Sequence, residues 1–468
     1  MKIKSMDRMF LPVGQGAFYC ERFYNAEQGN NLNVVYDCGT ITGRTDKARL
    51  ELIREVVDRN FQDANDKIID AVFISHLHED HFNGLEYLVK KCKIRRIYLP
   101  QTDPLELKLM QLYYVAHHTS SAANGGNGSN SLGEHFLKCN DLENDFPKAL
   151  RNIMQVDDGR ANNVDAPVVV PIGREPIVVS GTIFKGQPAG TELEGNFANW
   201  KYKTFCIKNE GGIQRVKEGL KQLIHGKLQI DVTEVTSEQV AELIENCRAN
   251  EIFRREIRRI FKSAIDDFHA NSLVLYSGCD TTTELYAHSG ERLCEFLKGP
   301  YQSCWMVTDA VGCLYTGDFK ANNEGYWNQL ESGFKAEWAT IGCVQIPHHG
   351  SKYNYNNGFL AMSPWHVASA GKSNKYRHPH KAVRKKYKDG CPLFVVTEGP
   401  GSLAKWCIEE KSSINCKTMI ADLRGAATME WYKESGSAVT FKIKEHDERP
   451  LEWNRNGQAS IGGVGVVE

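Results

Sequence analysis

Residues 73–85 read FISHLHEDHFNGL, and within six positions of that stretch stand His76, His78, Asp80 and His81. The 15 histidines of this 468-residue chain would produce such a cluster by chance in roughly one chain of this size in a thousand. Neutral imidazole and carboxylate are good donors to zinc and similar divalent ions, and a short loop can aim alternate side chains at two neighbouring ions. His76 and His78 would then serve one ion, Asp80 and His81 the other. Burying three imidazoles without a cation would demand a separate hydrogen-bond partner for each.

Working outward, the cluster follows the apolar run IIDAVFIS (68–75) and precedes GLEYLVKKC (84–92). A β-branched run followed by helical texture places the histidines on a strand-to-helix loop, where α/β folds concentrate their chemistry. Upstream, NVVYDCG (33–39) reads as a strand, and KARLELIREVVDRNF (47–61) spaces Leu50, Ile53, Val56 and Val57 as one face of an amphipathic helix. Downstream, IRRIYLP, NSLVLYS, CWMVTDAVGCLYTGD, CVQIPHHG and LFVVTEG are strand-like, with a hairpin turn expected at 309–312. SSAANGGNGSNS (120–131) reads as a polar loop, and 211–268 is charged helix with Thr236 or Ser237 as an N-cap. These readings divide the chain into the first half of an α/β domain at 1–210, a helical insertion at 211–268, the second half of that domain at 269–446 and a tail at 447–468.

Charge is nearly balanced, with 57 basic and 58 acidic side chains, so no global polyelectrolyte character marks a nucleic-acid or membrane binder. The start, MKIKSMDRMFLPVGQG, lacks a signal-like apolar core, and no apolar run approaches the ~18 residues of a membrane span. The 14 cysteines show no CxxC spacing. Reduced thiols in a soluble, cytoplasmic chain without membrane contact are the expectation.

HLHEDH resembles the His-x-His-x-Asp-His signature of the metallo-β-lactamase superfamily. PVGQGAF (12–18), NVVYDCG, NSLVLYS, CLYTGDF (313–319), IPHHGS (346–351) and ASAGKSNKYRHPH (368–380) resemble, in order, the soluble metallo-β-lactamase-like domain of ComEC-type DNA-uptake proteins and relatives such as bacterial phosphorylcholine esterases. The resemblance implies an α/β fold, the four-layer αββα sandwich, interrupted here by a helical insertion. It implies two divalent ions, zinc or manganese, with Asp318 as the carboxylate between them. His348 or His349, with His348 preferred, would come from the later histidine motif, and His378 would be the last active-site histidine, with His380 as an alternate. Asp37 would support the metal loop by hydrogen bonding, and Asp80 and His378 would take part in catalysis. Adjacent residues at a strand end point to opposite faces, so only one of His348 and His349 is expected to reach the metals.

Two departures stand out. Ala17 replaces the aspartate that ComEC-type domains carry after VGQG, and no further histidine for the first metal is evident, although His117, His118, His269 and His288 are available. Hydrolysis by a metal-activated water is the reaction this pattern implies, and GQG is no phosphate loop because a following Lys-Ser/Thr is missing. Lys375, Arg377, Lys381, Arg384, Lys385, Lys386 and Lys388, with Tyr376 and Tyr387, point toward a nucleic acid or another phosphodiester. A small-molecule hydrolase for lactones, thioesters or β-lactams, and a non-catalytic metal-binding module that docks a protein through the insertion, are the competing readings.

Overall fold

The computed structural model describes residues 3–25, 31–63, 66–117, 136–158, 167–173, 197–207, 210–228, 232–268, 272–279, 285–289, 307–308, 310–362, 365–387, 393–410, 427–433, 439–445, 450–453 and 459–461. Alternation along the strands decides the layering. In Leu32–Thr40, Leu32, Val34 and Tyr36 face one apolar cluster and Val35 the other, as period-2 side-chain geometry requires, until the positive φ of Asp37 (55°) breaks the alternation and turns Cys38 to the side of Val35.

A nine-stranded sheet contains β1 (Ile3–Phe10), β2 (Gly16–Asn25), β3 (Leu32–Thr40), β5 (Ala71–Phe73), β7 (Arg96–Pro100), β8 (Val168–Ile172), β11 (Leu285–Ser289), β12 (Val307–Thr308) and β17 (Ala404–Glu410). Their order is β12-β11-β17-β1-β2-β3-β5-β7-β8, and β4 (Ile68–Ile69) and β6 (Lys93–Ile94) form a small ribbon beside it. A six-stranded sheet runs β16-β15-β14-β13-β10-β9, with β9 at Trp200–Phe205, β10 at Val274–Cys279, β13 at Gly312–Tyr315, β14 at Ile341–Gln345, β15 at Trp365–Ser369 and β16 at Leu393–Val396.

The two sheets pack face to face through Phe10, Tyr19, Tyr36 and Phe73 on one side and Trp200, Tyr202, Leu275 and Tyr315 on the other. Helices α1 (Asp46–Asn60) and α3 (Leu85–Lys91) cover the outer face of the nine-stranded sheet, α2 (Glu79–Phe82) lying between them in sequence. The outer face of the six-stranded sheet is covered by helices bearing Trp327, Leu330, Phe359 and Val383. This is the four-layer αββα sandwich. Within α1, Ile53, Val56 and Val57 are buried as the periodicity predicts, but Leu50 is 37% exposed because the apolar stripe is narrower than four residues.

One buried polar group spans the sheets. Arg8 on β1 donates to Glu21 on β2 at 2.8 Å, and the Glu21 carboxylate also accepts from Tyr202, Ser277 and Tyr315 of the opposite sheet. Arg8 donates in turn to the Val311 carbonyl at 2.9 Å. Every oxygen of the carboxylate is thereby satisfied inside the sandwich, as a buried charge requires.

Helices α4 (Pro104–His117), α5 (Asp145–Asp158), α6 (Glu210–Leu228), α7 (Ser237–Ala249) and α8 (Glu251–Phe268) follow in chain order. Thr236 caps α7 in a capping box with Gln239. The helices of the 210–268 segment turn their apolar faces onto each other and onto α4, through Leu109, Leu112, Val216, Leu220, Leu243 and Phe261. Arginines of α8 are paired within the helix: Glu251 meets Arg254, Arg255 and Arg258, and Glu256 meets Arg259.

Two local expectations are corrected. β12 belongs to the nine-stranded sheet and β13 to the six-stranded one, so 309–312 crosses between sheets and is no hairpin; Asp309 itself lies outside the described residues. The stretch read as a tail carries strands Pro450–Trp453, which pairs with Val439–Glu445, and Ala459–Ile461, which pairs with Pro450–Trp453; Ala427–Lys433 completes the four-stranded sheet beside Val439–Glu445. The loop read at 120–131 lies outside the described residues. Among the described residues, no helix is long and apolar enough to cross a membrane, and the cysteines are free thiols.

Candidate metal centre

Strands β3, β5 and β7 are mutually parallel, as are β13 to β16, and the loops at their carboxyl ends meet at one rim. Asp37 lies near the end of β3, the 76–81 cluster follows β5, Asp318 follows β13, His348 and His349 follow β14, and His378 follows β15. Close backbone approach makes this possible. A Cβ on Gly39 would collide with the backbone of Asp80 and His81, and one on Gly317 (φ 52°) would press on Ser75 at 2.7 Å. Glycine at those two places lets the metal loop sit on β3 and lets the Asp318 loop sit on the metal loop.

Two three-donor groups result: His76, His78 and Asp318 in one, Asp80, His81 and His349 in the other, with donor atoms in each within 4.8 Å of one another. They abut through Asp318, whose Oδ2 lies 3.7 Å from His76 Nε2 and whose Oδ1 lies 3.2 Å from His81 Nε2. His349 Nε2 is 3.1 Å from Asp80 Oδ2. His348 Nε2 is 3.6 Å from Asp318 Oδ2, beside the first group.

Thus both histidines of the HHG turn face the centre. The expectation that only one would do so assumed strand geometry, whereas His348 and His349 adopt φ of 50° and 56° in a tight turn. His349, rather than the preferred His348, completes the second group. His378 stands next to both, its ring 5.6 Å from His348 and 6.2 Å from His349, and outside either group. His380 instead caps the helix Lys381–Lys386, accepting from the Ala382 N–H.

Four of the inward-facing imidazoles are held from behind. His81 Nδ1 donates to Asp37 at 2.8 Å, His349 Nδ1 to the Ser369 carbonyl at 2.8 Å, and His348 Nδ1 to Asn354 at 3.0 Å. His76 Nδ1 lies 3.0 Å from Ser75 Oγ and 3.3 Å from Ser272 Oγ, and Ser272 also accepts from the Asp318 N–H. With the Nδ1 atoms so engaged, the Nε2 lone pairs point inward, the tautomer that a metal ligand needs. Asp37 is completely buried and accepts from both Ser75 N–H and Ser75 Oγ, so it supports the loop from underneath.

The electrostatics calls for a cation. Burial favours neutral carboxyls, yet His348 and His81 hold Asp318 well below the usual carboxylate range, and His81 and His349 do the same for Asp80. His81 is pushed up despite its burial because Asp318, Asp37 and Asp80 surround it. Burial lowers His78 to about 4. In the metal-free protein an imidazolium therefore supplies the positive charge that the acids require. His81 Nε2 makes no hydrogen bond, although Asp318 Oδ1 is 3.2 Å away. Once the His81 proton is displaced, its Nε2 lone pair and the Asp318 oxygen stand at the spacing of two donors to one ion, and the residues present fit divalent metal.

Sequence reasoning missed the supporting groups. Ser75, Ser272 and Asn354 carry no motif signal of their own, and Tyr113, which stacks on His78 at 4.9 Å, comes from α4. Of the four histidines left available, the two among the described residues do not join the first group: His117 stacks behind Tyr113 and bonds its carbonyl, and His288 lies in β11 opposite Cys407; His118 and His269 lie outside the described residues. Ala17 points into the core between the sheets, and its neighbour Gln15 reaches the site, with Nε2 3.4 Å from His378 Nδ1.

Replacing Asp37 with alanine is expected to weaken metal binding about 10- to 100-fold by releasing His81 and Ser75. Competition with a chromogenic chelator measures this, and unchanged affinity would refute the supporting role.

Comparison with known proteins agrees with this geometry. Residues 26–151 match the metallo-beta-lactamase superfamily. An 81-residue stretch is 33% identical to ComE operon protein 3 of Bacillus subtilis (strain 168), covering 17% of this chain and 10% of that protein. The superfamily consists in general of metal-dependent hydrolases. From the matched region, the paired sheets and the histidine–carboxylate groups at their rim, the chain carries a metallo-beta-lactamase superfamily domain.

Proposed function

We propose that the protein is a metal-dependent phosphodiesterase acting on single-stranded nucleic acid, with two zinc or manganese ions held by His76, His78 and Asp318 and by Asp80, His81 and His349. When bound, a pair of divalent cations activates water and neutralises charge developing on the attacked phosphorus. Asp318 and Asp80 supply the negative charge that keeps cations there, and His348 lies where it can add a donor to the first group. His378 is neutral at pH 7, since burial and the nearby His349 and His348 lower it to about 3. With the Gln15 amide donating to Nδ1, its Nε2–H is left to donate a hydrogen bond to a phosphoryl or departing oxygen without giving up the proton.

The observation favouring a phosphodiester polymer is the rim. Tyr353 and Tyr376 are 57% and 47% exposed and lie on the two loops that bear His348, His349 and His378. A lysine ammonium sits over each ring, Lys352 at 4.7 Å and Lys375 at 5.0 Å, and Lys372 and Arg377 are exposed close by in sequence. Exposed aromatic faces with adjacent cations suit unpaired bases and phosphates together. The helix Lys381–Lys386 adds exposed Lys381, Arg384, Lys385 and Lys386, whereas Tyr387 is core and unavailable for stacking; Lys388 lies outside the described residues.

The test compares the metal-loaded and chelated protein on single- and double-stranded DNA, RNA, bis-p-nitrophenyl phosphate and a lactone panel. Metal-restored cleavage of single strands and of the aryl diester is expected; lactone turnover without diester turnover would overturn the proposal. Tyr353→Ala and Tyr376→Ala should each weaken single-strand binding about ten-fold, given roughly 1–3 kcal/mol per stacked base. Fluorescence anisotropy against a labelled oligonucleotide reads it, and a double mutant binding like wild type would contradict the platform.

A further inference from the structure

A cavity of about 340 Å³ opens directly beside the first donor group, with His76 and His78 in its wall. The rest of its lining is unlike the cationic rim. Met110 comes from α4, Ile172 from the end of β8, Cys206 and Ile207 from the exit of β9, and Ile213 from α6 of the helical segment. Asp103 and Glu106 form its polar edge, each accepting from the other's backbone N–H in a reciprocal cap. No lysine or arginine is among the described residues that line it.

This division restricts what enters. Gln101 and Thr102 also line it, but an anionic phosphate next to Asp103 and Glu106 would meet like charge with no lysine or arginine to offset it, which costs rather than stabilises. An uncharged flat ring meets Met110, Ile172, Ile207 and Ile213, a thioether and branched aliphatic chains that suit a ring face. The volume is near the bottom of the roughly 300–1,000 Å³ typical of small-ligand sites, room for one ring system.

Resting on the phosphodiesterase reading, we infer that this cavity is a specificity pocket for one uncharged aromatic ring, the size of a nucleobase, attached next to the scissile phosphate. The cationic rim takes the anionic chain. The helical segment is in this account a wall of the substrate site, because α6 contributes Ile213 and packs with α4, which contributes Met110. Its insertion between β9 and β10 gives a surface loop's position a direct say in substrate choice.

The test uses the full-length metal-loaded protein and two monoanionic phosphonates, methyl phenylphosphonate and methyl methylphosphonate, which differ in the ring alone. Calorimetry on wild type should show the phenyl compound binding at least ten-fold tighter. Met110→Trp should fill the cavity and abolish that preference while leaving affinity for the methyl compound and metal content within two-fold. Ile213→Ala should enlarge the cavity and shift preference toward a naphthyl analogue. Equal binding of the phenyl and methyl compounds by wild type, or a preference untouched by both substitutions, would overturn the inference. Parallel turnover of bis-p-nitrophenyl phosphate and methyl p-nitrophenyl phosphate separates the two claims. Ring-selective binding with neither diester hydrolysed counts against the phosphodiesterase reading and for the pocket; hydrolysis of both at equal kcat/KM with no binding preference counts against the pocket alone.

Discussion

Asp318→Asn should lower metal-dependent hydrolysis on the order of 10³-fold and strip the protein of at least one ion, with the fold intact. The side chain is the point of contact between the two donor groups, with His76 and His348 at 3.7 and 3.6 Å from one oxygen and His81 at 3.2 Å from the other. An amide has one oxygen and no charge, so it can serve one group at most and cannot offset two dications. Its backbone role survives, because Ser272 accepts from the residue-318 N–H and Asn354 donates to its carbonyl whatever the side chain. Asp80→Ala should act similarly through the second group alone. Atomic absorption for metal content, circular dichroism for folding and aryl-diester turnover together decide it. Full metal occupancy with unreduced turnover in both variants would reject the site.

Arg8→Met is the second large effect, and it falls on stability. The guanidinium is 1% exposed and its partner Glu21 is 2% exposed, so the substitution strands a carboxylate between the sheets with hydroxyl donors alone. Removing one member of a buried pair costs roughly 3–5 kcal/mol. The double substitution Arg8→Met with Glu21→Met removes the stranded charge and should recover a large part of that loss. Urea denaturation followed by tryptophan fluorescence reads both. A single-variant loss under about 1 kcal/mol would show that water reaches the pair.

Much of the site was legible because its donors come in runs. HLHEDH puts four chemically improbable residues on one loop, and TGD and PHHG end apolar runs that are indeed β13 and β14. What escaped was whatever depends on contacts between distant segments. Nothing around Arg8 or Glu21 distinguishes them from solvent-facing strand residues, yet they bind the two sheets together. Ser75 and Ser272 are separated by nearly two hundred residues and meet at the Nδ1 of one imidazole. The HHG turn misled because positive φ at both histidines overrides the alternation that a strand would impose. Gln15 reaches His378 from GQG, a segment in which no site residue was expected.

The spread of donors along the chain also sets a timetable. His81 leaves the ribosome long before Asp318 and His349, and at roughly 5–20 residues per second the wait is on the order of ten seconds to a minute. During that interval the nascent chain exposes a histidine-rich loop with neither binding group complete. Neither donor group can be complete before the second half of the polypeptide, which carries Asp318 and His349, has been made.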